Sequence, residues 1–174
     1  VNERKPAHKA DVWYRILTHK DNAKNGKVHH SAFTGKNVFT LRETAPMGTD
    51  LSGRLLSYSG SCKDIKTFGE ARAKEIADKV EAKLGKVPSY IRFVGVAAAS
   101  ACELRKWADL PCDAIYEPEP KDTAHANLAF TSVEPGHFTD NDIKRALALK
   151  LALLEADHLA PVFSLPWSAS GKNP

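Results

Sequence analysis

Cysteine is scarce: Cys62, Cys102 and Cys112 make an odd count of three with no CxxC spacing. That argues against a disulfide framework. It also argues against a metal knuckle, which brings two ligands within a few residues. Three reduced thiols are expected, at least one of them buried. Long apolar runs are missing as well. The longest, residues 94–102, is short and rich in alanine, far below the roughly 20 residues of a membrane span. No apolar core follows the opening Val1-Asn2-Glu3-Arg4-Lys5-Pro6, so no secretory signal is expected, and the setting is expected to be cytoplasmic. The sequence has no Walker loop, no dinucleotide glycine pattern, no HExxH and no Gly-x-Ser-x-Gly elbow, so the commonest nucleotide, zinc and serine-hydrolase signatures drop out. It shows no repeat at a period of 20–50 residues and no Gly/Ser linker.

What is present is ordinary for a folded domain. Of 174 residues, 43% are hydrophobic and 26% charged, with a net charge of +4; disordered chains have fewer apolar residues and more net charge. Residues 1–10 and 168–174 lack an apolar pattern and are expected as mobile arms, leaving 11–167 as one domain. The charge is segregated. Residues 1–60 carry ten Lys/Arg against five Asp/Glu, whereas residues 111–142 carry one against seven. A basic N-terminal part, residues 1–42, suits phosphates or nucleic acid. The acidic segment suits a cation or a basic partner surface.

Alternation predicts strands at residues 11–19, 37–44, 89–94, 113–117 and 125–133, a weak one at 54–58, and a short strand or loop at 28–34. Residues 64–84 carry Ile65, Phe68, Ile76, Val80 and Leu84 at helical spacing, with Ser61 and Asp64 placed as a capping box and Gly85 as the stop. The Ala-rich 96–108 stretch predicts a second helix, with Gly95 as the hinge before it. Residues 140–158 predict a third, opened by Thr139, with Ile143, Leu147, Leu151 and Leu154 facing the core and Leu149 and Leu153 widening the buried stripe. The class is therefore α+β: a single domain with a mainly antiparallel sheet of five or six strands and about three helices packed on it.

Seven histidines are the side chains best suited to proton transfer near neutrality. As strands, His29-His30-Ser31 and His125-Ala126-Asn127 would each set a His and a small polar residue on one face. One imidazole, His29 or His30, and His125 would then serve as base and acid on a phosphodiester. Arg15, Lys36 or Arg92 would stabilise the charge that develops. The two segments resemble the paired His-x-Ser/Thr motifs of the 2H phosphoesterase family, the second with Asn127 in the Ser/Thr place. The resemblance implies a phosphodiesterase or nucleotide hydrolase. Glu119, Asp122 and His125 form a second candidate set, whose oxygens and imidazole suit a divalent metal; no cofactor is otherwise required. Ser59 to Lys63 forms a small-residue loop before a helix start, where an anion would be received. Trp167, near the C-terminal tail, is a candidate interface anchor.

Three functions stand at this level: an accessory or interaction module of a larger assembly, docking a protein partner or a second copy; a histidine-dependent hydrolase; and a nucleic-acid binder.

Overall fold

The β2 strand (Val12–His19) shows how the molecule is layered. Trp13 and Leu17 point to one side and Val12 and Tyr14 to the other, and all four are buried. A strand buried on both faces needs a layer on each side. The structure, a computed structural model, describes residues 5–33, 51–130 and 140–159. It shows an α+β domain built on a seven-stranded antiparallel sheet in the order β1-β7-β8-β5-β2-β6-β9. The other strands are β1 (Lys5–Pro6), β5 (Leu51–Leu55), β6 (Ile91–Ser100), β7 (Cys112–Tyr116), β8 (His125–Phe130) and β9 (Ala152–Leu154); β3 (Ala23–Lys24) and β4 (Lys27–Val28) form a separate hairpin. Both edge strands of the sheet are very short, which limits unwanted edge pairing.

One face is covered by α1 (Cys62–Leu84) and a helical turn at residues 156–159, which enclose Val12, Tyr14, Ile65, Val96, Ala98, Ala156 and Leu159. The other face is covered by α2 (Ala101–Arg105), α3 (Asp140–Lys150) and a 3-10 turn (His30–Phe33). Its core includes Trp13, Leu17, Phe33, Leu51, Leu55, Leu104, Leu128, Phe130, Ile143 and Leu147. The Trp13 indole also donates to the Ala126 carbonyl at 3.1 Å, tying β2 to β8 beneath β5.

The α1 start follows its capping box: Ser61 Oγ accepts from the Asp64 amide, and Asp64 Oδ2 accepts from the Ser61 amide at 2.7 Å. The helix ends at Gly85, which sits at φ 72°. Its buried residues are Ile65, Gly69 and Ala73, a narrow small-residue seam. At Gly69 an added Cβ would lie 2.6 Å from Phe93, so the helix axis runs close to β6. Farther along the helix overhangs the sheet, and Leu84, expected in the core stripe, is exposed.

Three expectations are corrected. Residues 96–100 are not helix but continue β6, which pairs along its length with β2; only 101–105 turn helical. Alanine favours helix in isolation, but a strand enclosed by two layers also needs small side chains, and Ala97, Ala98 and Ala99 fill that role. Gly95 is not a hinge. It lies inside β6 at φ 134°, where the register with β2 shifts, and an added Cβ would meet the Leu154 carbonyl oxygen at 2.8 Å. The last helix stops at Lys150, because residues 152–154 pair with β6 as β9. Of residues 1–10, expected as an arm, Lys5–Pro6 pair with β7, and Ala7 is buried. Thr139, Trp167, the 37–44 strand, residues 131–133 and the 168–174 tail lie outside the described residues. No helix among the described residues is long and apolar enough to cross a membrane.

Candidate functional site

The antiparallel register of β5 and β8 sets Arg54 opposite His125 and Ser52 opposite Asn127. Alternation sends these four side chains to the face that carries α1, while Leu51, Leu55, Ala126 and Leu128 go to the opposite core. His125 is buried and Ser52 exposed. Both imidazole nitrogens are engaged: Nδ1 lies 2.8 Å from the Glu117 carbonyl and Nε2 lies 3.1 Å from Ser52 Oγ. A carbonyl only accepts, so Nδ1 carries the proton and Nε2 presents its lone pair to the Ser52 hydroxyl. Glu119 Oε1 stands 3.6 Å from Nδ1. Asn127 Nδ2 donates to Glu117 Oε2 at 2.9 Å.

Beside this pair is a closed structural network. Arg54 Nε and Nη2 donate to the Asp122 carboxylate at 3.0–3.1 Å, and Nη1 donates to Tyr14 Oη at 2.8 Å. The guanidinium carbon lies 3.6 Å from the centre of the Phe68 ring. Tyr14 Oη donates to Ser59 Oγ, which donates to the Leu55 carbonyl. Burial pushes the Tyr14 hydroxyl up to about 12, against the opposing pull of Arg54. Asp122, expected as a metal ligand, therefore neutralises a buried arginine and also caps the Ala124 amide. His125 has no nitrogen left for a metal, and Glu119 is exposed at the rim. The proposed Glu119–Asp122–His125 metal set is not assembled. Among the described residues only Glu155, Asp157 and His158 bring donor atoms within 4.8 Å of one another, and all three are exposed; exposed acidic groups need no ion. The Ser59–Lys63 loop is likewise satisfied from within, its helix start carrying the Asp64 carboxylate.

His29 and His30 lie on the other side of the sheet. They follow β4, with ring centroids 4.0 Å apart. His29 Nδ1 is 2.9 Å from Ser31 Oγ, which donates to the Asp21 carbonyl. The 3-10 turn that follows buries Ala32 and Phe33 in the α3-side core. The sheet thus stands between these rings and His125, and the two His-x-Ser/Asn segments do not flank one substrate. The phosphate candidates do not join either histidine set. Arg15 donates to the carbonyls of Ala32 and Ser52 as a clamp between the turn and β5, and burial followed by the charge of Arg72 lowers its pKa to about 10. Arg92 is exposed on β6, separated from β8 by β2 and β5. Lys36 lies outside the described residues.

Around His29 and His30 is a groove of about 530 Å³ between the β4 turn, α3 and β9, with Leu149 and Leu153 in its lining. Among the described residues, its ionisable lining groups are Lys27, His29, His30 and Arg145, with no carboxylate. Leu149, expected in the buried stripe, is 85% exposed. Loss of solvent, and then the neighbouring His30 and Lys24, hold the His29 imidazole below its ordinary value.

Sequence reasoning missed Ser52 and Arg54. Neither sits in a motif; both enter the site through strand pairing across some seventy residues, for which the only local signal is the polar alternation of Ser52 and Arg54 between Leu51 and Leu55. No family model, curated protein or solved structure matches the chain. The likeness to two-histidine phosphoesterases thus rests on the quoted residues alone.

Proposed function

We propose that the chain is an interaction module of a larger assembly. It docks an extended segment of a protein partner in the groove between the β4 turn, α3 and β9. The observation that carries this reading is Leu149: a large apolar side chain almost wholly in solvent, at the mouth of a groove whose ionisable lining groups, among the described residues, are all basic. Amphipathic helices keep leucine on the core side, and here Leu149 stands in solvent beside Leu153 in the groove lining, apolar surface whose burial by a partner would be favourable. The basic rim selects a segment in which an apolar residue is flanked by Asp or Glu. Among the described strands β9 is at the edge of the sheet, so its outer side suits backbone pairing with an extended chain.

The test is selection of a random peptide library displayed on phage against the full chain. The proposal expects convergence on sequences with Leu, Ile or Phe beside acidic residues, and loss of their binding to Leu149→Asp. Absence of enrichment, enrichment of basic sequences, or undiminished binding to Leu149→Asp would overturn it.

A further inference from the structure

We propose that Ser52 and His125 form a nucleophile–base pair for acyl transfer on small carboxylic esters, an activity separate from the docking groove and on the opposite face of the sheet. The hydroxyl and the imidazole are within hydrogen-bond reach at 3.1 Å, the distance a serine nucleophile and its base require. The Glu117 carbonyl fixes the tautomer, so the Nε2 lone pair faces the Ser52 proton. Glu119, 3.6 Å from Nδ1, is placed to stabilise the imidazolium that forms when that proton is taken. Burial divides the roles: the base is held inside the sheet face, and the nucleophile opens to solvent. Asn127, opposite Ser52 in the register, has its amide held by Glu117; its other N–H is the donor assigned to the developing oxyanion.

The steps balance within this set. Ser52 Oγ bonds to the acyl carbon as its proton passes to His125 Nε2, and the carbonyl π pair moves onto oxygen. Collapse breaks the bond to the leaving alcohol, which takes the proton from Nε2. Water then adds to the acyl group, giving a proton to Nε2. The Oγ–carbon bond breaks and the proton returns to Ser52, so ester and water become acid and alcohol. Glu119 and Glu117 are positioning residues, since they act through the imidazole.

The test is labelling of the full chain with a fluorophosphonate, an acyl-transfer mimic, followed by mass spectrometry of the peptide spanning residues 43–54. The expected result is one phosphonyl group on Ser52, with the labelling rate falling at least about 100-fold in His125→Asn and less in Glu119→Gln. Mapping the adduct on the unsubstituted chain keeps the test valid even where a variant fails to fold. No adduct, an adduct on another residue, or an unchanged rate in a folded His125→Asn chain would overturn the proposal. None of these results depends on Leu149, so failure here is distinguishable from failure of the docking reading.

Discussion

At the scale of single residues, hydrogen-bond partners decide which candidates remain available for chemistry. Asp122 pairs with Arg54, and Arg15 donates to two backbone carbonyls, so both take part in holding the fold together. A buried pair broken on one side leaves an unpaired charge and is strongly destabilising, which gives the Arg54–Asp122 bridge a structural task. His29 differs, because its pKa is lowered below 6.5 by desolvation first and by His30 and Lys24 next. The unfolded chain then binds that proton more readily than the folded one. The contribution of His29 to stability is complete above about pH 6.5 and is lost as pH falls through the lowered folded value. Urea titrations from neutral pH downward should show this loss, and His29→Asn should flatten that part of the curve; an identical pH dependence in the two chains would contradict the assignment. The same proton adds charge to the groove, so a partner rich in carboxylates should bind more tightly as the solution is mildly acidified.

Elements show where local sequence suffices. β2 was legible because Val12, Tyr14 and Ile16 alternate with Trp13, Arg15 and Leu17, and α1 because its cap and stop residues flank one apolar periodicity. The 96–100 stretch was not legible, since alanine satisfies a helix and the waist of a doubly covered strand equally. Nor was the end of α3: Leu151 and Leu154 continue the helical spacing, and only β6, distant in sequence, draws 152–154 into the sheet. Leu147 and Leu149, both placed by spacing in one broad stripe, separate by exposure, at 0% and 85%. Leu147→Ala should cost about 3 kcal/mol in chemical denaturation, and Leu149→Ala should change stability by less than about 0.5 kcal/mol. Equal losses at the two positions would mean that Leu149 is packed and not available for docking.

For the whole molecule, the sheet is the organising boundary. It keeps two histidine-bearing regions apart that the sequence alone would join. The faces on which His29, His30 and His125 fall depend on strand order, which no local pattern encodes. The basic groove lies by β9, at one end of the sheet, and the acidic run from Asp113 to Asp122 lies by β7 and β8, toward the other. Cys112 is deep in the β7 side of the core, and burial raises its thiol to about 12; the three cysteines are free. On the proposed reading the two faces act separately, and the α3–β9 face receives an acidic, apolar segment. Its most direct test is the amide spectrum of the full chain during titration with a short peptide carrying leucine between glutamates. Shifts confined to residues 26–30 and 145–154 are expected, with residues 51–55 and 125–127 silent. Shifts centred on β5 and β8, or no shifts at saturating peptide, would contradict it.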